Sequence, residues 1–246
     1  MKKPDSITKL DWELLKEKHL KIDNKIINKI NKGYPVQYLI GDVDFFDCLI
    51  KVNKHVLIPR FETELLVDKA IKVIKENFDK ELRIIDFGTG SGCIAIKLAK
   101  EFKNSEVFAI DKSKKAINLS KENARINNVD ISFYVSKFDK FHKKNFDILI
   151  SNPPYIAKDG EISDNVKKYE PKTALFAKEN GLFYYDQILN QSKKILKKRN
   201  IIFFEIGYNQ KDNLTEIIKK HYPLAKIKFD KDYNKKDRFC TIYNNI

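Results

Sequence analysis

The chain has 246 residues, of which 42% are hydrophobic and 33% are charged. This length predicts one domain of average size with a small appendage, and the apolar content suffices for a sizeable core. No apolar run approaches the roughly 18 to 20 residues that span a bilayer, and no signal peptide opens the sequence, so we expect neither a membrane nor a secreted protein. The three cysteines, Cys48, Cys93 and Cys240, lie too far apart for a metal site or a disulfide framework, which favours a reducing cytoplasm.

The charge balance is strongly basic, with a formal net charge of +14. Only five of the 48 basic residues are arginine, the side chain that nucleic-acid sites favour for bidentate contacts. A solvated lysine coat therefore explains the charge better than a nucleic-acid interface. We expect any proximity to RNA or the ribosome to be incidental, and we expect a monomer.

The pattern changes several times before residue 80. Residues 6–32 carry apolar side chains at helical spacing and predict two short amphipathic helices. Residues 38–52 consist of short apolar and aromatic runs, which predict a β-hairpin or two short strands. A loop over residues 57–64 then leads into a helix over about residues 63–77. These changes divide the chain into a small helical segment, a β-hairpin linker and a main domain, at residues 1–33, 34–56 and 57–246.

Candidate strands and helices alternate from residue 82 onward, which predicts an α/β fold with a parallel sheet and helices on both faces. The strand candidates are residues 82–87, 106–110, 131–135, 146–151 and 201–206. The helix candidates are residues 92–102, 113–126, 181–198 and 209–220. The last two apolar runs have no helix between them and should pair as an antiparallel hairpin at one edge, which gives seven strands with residues 225–229 and 238–243.

A glycine-rich turn joins the first of these strands to the next helix. Residues 86–92 read DFGTGSG, and Cys93 stands where the dinucleotide fingerprint requires its last glycine. The segment also lacks the lysine of a P-loop. Two interpretations remain: a tight turn alone, or a loop whose backbone approaches a flat ligand.

Two carboxylates favour the ligand interpretation. Asp111 lies 21 residues beyond Gly90, at the end of the second strand, where an acid can accept hydrogen bonds from two ribose hydroxyls or instead cap the next helix. Asp86 places a negative charge at the rim, which repels a pyrophosphate and attracts a cation. S-adenosylmethionine fits this loop because it has a ribose, an ammonium group and a sulfonium group; its product is S-adenosylhomocysteine.

The fourth strand candidate ends in the tetrapeptide Asn152-Pro153-Pro154-Tyr155. Ligands of open parallel sheets bind beyond the carboxyl ends of the strands, so this tetrapeptide and the glycine loop should face one crevice. The prolines stiffen the turn and leave carbonyl acceptors, and the Asn152 side-chain carbonyl adds another. Two acceptors can hold both hydrogens of a planar –NH2 group, against which the Tyr155 ring can pack. A rigid turn is the alternative interpretation.

This arrangement suits methyl transfer to an amide or exocyclic amine nitrogen. The lone pair of such a nitrogen is delocalised, and acceptors for both N–H groups return density to the nitrogen and fix its direction. The sulfonium methyl group is already activated, so the protein has to supply in-line positioning more than a base.

The chain resembles the release-factor glutamine methyltransferases over about residues 32–246. The segments that carry the resemblance include residues 33–41 (GYPVQYLIG), 57–64 (LIPRFETE), 86–92 (DFGTGSG), 151–155 (SNPPY) and 169–171 (YEP). The Asn-Pro-Pro-Tyr tetrapeptide is shared with methyltransferases that act on adenine or guanine amino groups. The segments upstream and downstream of it narrow the resemblance to the protein-glutamine group.

The resemblance implies a class I S-adenosylmethionine-dependent methyltransferase fold. It implies methyl transfer to the side-chain amide nitrogen of the glutamine in the Gly-Gly-Gln motif of class 1 peptide chain release factors, which act in translation termination. For the cofactor it implies Asp86, Phe87, Gly88, Thr89, Gly90, Asp111, Asn152 and, against the adenine, Phe138. For catalysis and for the substrate glutamine it implies Asn152, Pro153, Pro154 and Tyr155.

Three departures from the family pattern stand out. Phe61 occupies a position where the family usually has proline, and Lys137 one where it often has an acid beside the adenine aromatic. The family's N-terminal helical domain is also larger than the roughly 32 residues that precede the segment 33–41 here. Two short helices are too few for an independent core of ordinary size.

Two other functions compete with this interpretation. A nucleic-acid amino-methyltransferase would share the tetrapeptide and explain the basic charge, but it would need base flipping and a target-recognition module. The residues after Tyr155 are nearly all used by the remaining strands and helices of the predicted sheet. A non-enzymatic cofactor-binding remnant would be expected to lack some of the site residues, and all of them are present.

Overall fold

The computed structural model of the protein describes residue 3, residues 7–18 and residues 22–246. Residue 6 and residues 19–21, which belong to the predicted N-terminal helical stretch, lie outside these ranges. None of the helices within the described ranges combines the length and apolar character that a bilayer crossing requires.

Three short helices form the N-terminal part of the described chain: α1 (Lys9–Glu17), α2 (Asn24–Asn31) and α3 (Val36–Ile40). The first two begin at side-chain caps, where Thr8 and Asp23 each accept a backbone N–H of the first turn. The helices pack around a small apolar cluster of their own, made of Ile7, Trp12, Leu15, Ile30 and Val36. The predicted helical segment therefore has a core, although a small one.

Helix α3 corrects the prediction that residues 38–40 belong to a strand. Pro35 stands at its N-cap with φ of −57°, and Gly41 ends it in the left-handed conformation with φ of 94°. These two residues limit the helix to a single turn. The apolar run is too short to show a helical period in the sequence. The predicted hairpin follows directly, as β1 (Asp42–Phe45) and β2 (Cys48–Lys51).

Seven further strands form one mixed sheet, as predicted. They are β3 (Arg83–Phe87), β4 (Glu106–Asp111), β5 (Ser132–Val135), β6 (Phe146–Ser151), β7 (Leu196–Glu205), β8 (Lys226–Lys231) and β9 (Asp237–Asn244). Their order in the sheet is β5-β4-β3-β6-β7-β9-β8. The pairs from β5 to β7 are parallel, and β9 is antiparallel to both of its neighbours. The antiparallel hairpin at one edge is therefore confirmed.

Helices cover both faces of this sheet. They are α4 (Phe61–Asn77), α5 (Cys93–Glu101), α6 (Lys114–Ile126), α7 (Asp164–Tyr169), α8 (Lys172–Leu175), α9 (Phe183–Ile195) and α10 (Lys211–His221), with single 3-10 turns at Phe138–Lys140 and Glu179–Gly181. Neighbouring residues of a strand point to opposite faces, so two separate cores form. Ile84 and Ile148 belong to the core under α4 and α5, and Ile85 and Leu149 belong to the core under α9 and α10.

The predicted helix 181–198 is too long at its C-terminal end. Helix α9 stops at Ile195, and the basic run 197–199 already lies in β7. Extended backbone here places the Lys197 ammonium 2.8 Å from the carboxylate of Asp147, which is buried at the start of β6. A buried carboxylate needs such a partner, and this long-range ion pair outweighs local helix propensity.

The β1–β2 hairpin is attached to helix α6 by two asparagines one turn apart. The Asn123 amide accepts the Lys51 N–H at 2.9 Å and donates to the Lys51 carbonyl at 3.0 Å. Asn127 does the same with the N–H and carbonyl of Leu49. The Asn123 amide also donates to the Ser91 carbonyl in the glycine loop, at 2.8 Å. Two side chains therefore replace a neighbouring strand along β2.

We expect Asn123→Ala to destabilise the protein by about 2 to 3 kcal/mol, because it leaves the Lys51 and Ser91 backbone groups without these partners. Chemical denaturation monitored by circular dichroism measures this loss. The matched control is Glu122→Ala, which removes only a half-exposed ion pair with Lys51 and should cost less than about 1 kcal/mol. Equal unfolding midpoints for the two variants would contradict the anchoring role.

Candidate active site

The chain crosses from one half of the sheet to the other between β3 and β6. Strands β4 and β5 lie on one side of β3, and β6 returns to its other side. Such a switch point opens a crevice at the carboxyl ends of the strands. A cavity of about 360 Å³ occupies this place. The predicted site residues that line it are Gly88, Thr89, Gly90, Asp111, Phe138, Asn152 and Pro154.

Four predicted site residues do not line the cavity. Asp86 and Phe87 are the last residues of β3 and are fully buried beneath the glycine loop. Pro153 is buried within the turn after β6, and Tyr155 is partly buried with its hydroxyl bonded away from the cavity, to Glu205. Any role of these four residues therefore runs through their neighbours or backbone.

The glycine loop is held close to two neighbouring elements. The N–H groups of Gly88 and Thr89 donate to the carbonyl of Ile110 at the end of β4, at 2.9 and 3.0 Å. Gly92, the N-cap of α5, has φ of 87°, and a Cβ there would lie 2.8 Å from the Cβ of Ser120 on α6. The glycine is thus required at this position, one before the place where the dinucleotide fingerprint has its last glycine.

Asp111 is fixed by two backbone donors. Its carboxylate accepts the Gly90 N–H at 3.1 Å and the Ser113 N–H at 2.8 Å. Ser113, and not Asp111, caps α6 by accepting the Ala116 N–H at 3.2 Å. Burial raises the pKa of Asp111, and the two N–H donors oppose this rise. A carboxylate so oriented at the cavity wall has lone pairs left for ligand hydroxyls.

Asp86 is a buried carboxylate below the same loop. Within the described part of the chain, neither of its oxygens nor the Thr89 hydroxyl makes a hydrogen bond of good geometry, although Thr89 and the Ala95 backbone lie close enough to lower the pKa of Asp86. Burial raises the pKa of Asp86 to about 7. A cationic ligand group above the loop would stabilise the ionised form of this side chain, which is the electrostatic match that S-adenosylmethionine offers.

Phe138 and Tyr184 form another wall of the cavity. The Phe138 ring stacks on Phe87, with centroids 5.3 Å apart and planes at 7°, and it meets Tyr184 edge-on at 5.9 Å. An added Cβ at Gly88 would lie 3.5 Å from the Phe138 ring. Sequence reasoning missed Tyr184; its aromatic run at the start of α9 was a usable signal. A flat ligand group in the cavity can pack against these aromatic rings.

Charged and titratable side chains also border the cavity. Lys137 and Asp139 lie on either side of Phe138, so an acid is present near the aromatic wall even though it does not occupy position 137. His55 lines the cavity as well, and sequence reasoning missed it. Partial burial, together with Lys115 and Lys54, lowers the pKa of His55.

The Asn152 side chain is the start of a buried hydrogen-bond chain. Its Nδ2 donates to Thr63 Oγ1 at 3.0 Å, and that hydroxyl donates to Glu205 Oε2 at 2.8 Å. The Tyr155 hydroxyl donates to the other oxygen of Glu205, at 3.2 Å. Sequence reasoning placed neither Thr63 nor Glu205 in the site. The available signal was an acid at the carboxyl end of a strand next to β6.

The segment after the tetrapeptide contributes to the wall of the cavity. Thr173 and Ala174 line the cavity. The buried carboxylate of Glu170 accepts the Ile58 N–H at 3.2 Å and forms an ion pair with Arg60. This ties the wall of the cavity to the loop that leads into α4, so the Glu170 segment is more than a simple turn.

Comparison with known proteins identifies the family. The Methyltransferase small domain family matches residues 63–203. The release factor glutamine methyltransferase of Enterococcus faecalis is 41% identical over 227 residues, covering 91% of this chain and 80% of that protein. The one from Lactococcus lactis is 39% identical over 243 residues, covering 96% and 89%.

A solved structure with the same fold is a methyltransferase from Pyrococcus furiosus. It covers 95% of this chain and 100% of its own, with a TM-score of 0.58 at 16% identity. This likeness supports the class I methyltransferase fold, and the much closer sequence matches give the family. The chain therefore belongs to the release factor glutamine methyltransferases.

Proposed function

We propose that the protein transfers a methyl group from S-adenosylmethionine to the side-chain amide nitrogen of the glutamine in the Gly-Gly-Gln motif of class 1 peptide chain release factors. One observation carries the proposal: the glycine loop, Asp111 and Asn152 border a single cavity at the switch point of the sheet. The relatives named release factor glutamine methyltransferases support the choice of a protein substrate over a nucleic acid.

The cofactor half of the cavity fits S-adenosylmethionine, which supplies a methyl group activated on a positively charged sulfur. Asp111 accepts hydrogen bonds from the ribose hydroxyls, and Phe138 packs on the adenine. Asp86, which is fully buried below the loop, compensates the charge of the cationic end. The backbone of Gly88 to Gly90 allows the close approach that this arrangement needs.

The substrate half holds the amide of the glutamine. The Asn152 Oδ1 atom and a carbonyl of the proline turn accept its two N–H groups, because a planar –NH2 group offers two donors at a fixed angle. Pro153 and Pro154 keep this turn rigid. The chain's contribution is thus to fix the nitrogen in line with the methyl group, and the proton leaves the nitrogen after transfer, when it is strongly acidic.

The partner and the setting are part of the same proposal. Class 1 release factors are the protein partner, and no membrane takes part. The enzyme acts as a monomer in the cytoplasm. Contact of its lysine-rich surface with RNA or the ribosome is incidental to the reaction.

Transfer of labelled methyl from S-adenosylmethionine to a purified release factor tests the proposal. We expect a mass gain of one methyl group on the glutamine of Gly-Gly-Gln, located by peptide mapping. Asn152→Ala should abolish transfer and keep most of the cofactor affinity, because its main role is to hold the amide. Label in ribosomal RNA or DNA, with none in the release factor, would replace this function by a nucleic-acid amino-methyltransferase.

The ribose assignment of Asp111 is tested by Asp111→Asn. This change replaces one acceptor oxygen by a donor group, so we expect the Kd for S-adenosylmethionine to rise about tenfold, measured by isothermal titration calorimetry. The matched control is Asp130→Asn, which removes the same charge at an exposed position that does not line the cavity. An unchanged Kd for the Asp111 variant would reject the assignment.

A further inference from the structure

Asn152 and Glu205 occupy equivalent positions on neighbouring parallel strands. Ser151 of β6 pairs with Phe204 of β7, so the next residues, Asn152 and Glu205, lie side by side at the carboxyl edge of the sheet. The Thr63 side chain from the first turn of α4 bridges them, with hydrogen bonds to both. Thr63 and Glu205 are only 3% and 2% exposed, so water cannot readily replace these bonds.

The chemistry of the three groups fixes the direction of the hydrogen bonds. An ionised carboxylate can only accept, so the single hydroxyl proton of Thr63 points to Glu205. The Thr63 oxygen then has only lone pairs to offer Asn152, which must turn its –NH2 group toward it. As a consequence, the carbonyl oxygen of Asn152 is the end of the amide that is turned away from Thr63.

We propose that Thr63 and Glu205 are positioning residues, and that the ionised Glu205 carboxylate sets the orientation of the Asn152 amide through the Thr63 hydroxyl. This inference rests on the proposed function only for the identity of the substrate. A glutamine –NH2 group needs an acceptor, and the hydrogen-bond chain makes Asn152 an acceptor before the substrate arrives. The cost of orienting this side chain is therefore met during folding and not during binding.

The neutral form of Glu205 permits the opposite direction of the hydrogen bonds that link it to Thr63 and Asn152. A protonated carboxyl group can donate to Thr63, whose own proton then points to Asn152 and accommodates the carbonyl end of the amide. The Asn152 –NH2 group would then face the substrate –NH2 group, donor against donor. Burial raises the pKa of Glu205 to about 7, so the two directions exchange near neutral pH.

The surroundings of Glu205 are mixed in charge. The titratable and charged groups that face it are Arg238 on β9, Glu62 on α4, Tyr155 after β6, Tyr185 on α9 and Cys93 on α5. Arg238 and the hydrogen bonds from Thr63 and Tyr155 favour the carboxylate, whereas burial and Glu62 favour the neutral acid. Because the carboxylate is the form that orients Asn152 correctly, activity should rise with pH through about 7.

The first test compares Thr63→Val with Thr63→Ser. Valine has nearly the same shape but no hydroxyl, so we expect kcat for methyl transfer to fall roughly tenfold, and the step near pH 7 to disappear, at saturating cofactor. Serine keeps the hydroxyl and should restore most of kcat and the pH step. The Kd for cofactor should stay within about threefold in both variants.

The pKa of Asp86 is also about 7. Asp86 is unchanged in both variants, however, and saturating cofactor excludes effects of its titration on cofactor binding. A Thr63→Val enzyme with wild-type kcat and pH profile would overturn the inference. So would a Thr63→Val enzyme that loses cofactor affinity and thermal stability together with activity, or a serine variant no better than valine. These results would make Thr63 a structural residue only.

A second measurement does not depend on activity. In nitrogen-15 NMR spectra, the side-chain amide signal of Asn152, identified by its absence in Asn152→Ala, should shift with pH with a midpoint near 7 in the wild type and not in Thr63→Val. A wild-type signal that does not respond to pH overturns the inference. If the wild type fails to methylate release factor, the proposed function fails, and this signal still decides the role of Glu205.

Arg238 provides a test that leaves Thr63 and Asn152 in place. Arg238→Gln removes a cation that favours the Glu205 carboxylate, so the midpoint of the pH step should move to higher pH. Arg238→Lys keeps the charge and should keep the midpoint close to that of the wild type. Equal midpoints in the two variants would show that a group other than Glu205 controls the step.

Discussion

The site depends on one constraint: three neighbouring strands, β3, β6 and β7, are buried on both faces and end at the same edge of the sheet. Each carries a polar side chain at or just beyond this end, namely Asp86, Asn152 and Glu205. In a buried environment such groups need partners, and Glu205 finds them in the hydroxyls of Thr63 and Tyr155. The same burial that closes the core thus makes this edge reactive. The ends of these strands consequently contribute both to the stability of the fold and to the ligand site.

The two halves of the cavity orient their polar side chains in different ways. On the cofactor side, the backbone N–H groups of Gly90 and Ser113 fix the Asp111 carboxylate, so its orientation follows from the path of the main chain. On the substrate side, Asn152 is oriented only by side chains, in a hydrogen-bond chain that has a reversible direction. A backbone-held acceptor is insensitive to protonation elsewhere, whereas a side-chain-held acceptor responds to it. We therefore expect the orientation of Asn152 to depend on pH and the orientation of Asp111 to be independent of it.

Much of the architecture could be predicted because its determinants are local. Alternating apolar runs and helical spacing located all seven strands of the sheet. The glycine loop and the Asn-Pro-Pro-Tyr turn could each be recognised because each consists of consecutive residues. The remaining features depend on distant partners. Thr63 and Glu205 are 142 residues apart, and nothing in either neighbourhood reports their hydrogen bond. The start of β7 depends on the buried Asp147, and the single turn of α3 is too short to show a period. Hydrogen bonds and ion pairs between residues distant in sequence thus cannot be predicted from a single sequence.

The amide of Asn123 connects parts of the molecule that sequence order keeps separate. It bonds to β2 through Lys51 and to the glycine loop through Ser91, while none of residues 42–51 lines the cavity. The hairpin is therefore an outer support of the cofactor site, although it cannot touch the cofactor. A designer who grafts this glycine loop onto another sheet would have to bring the hairpin or supply a substitute for it.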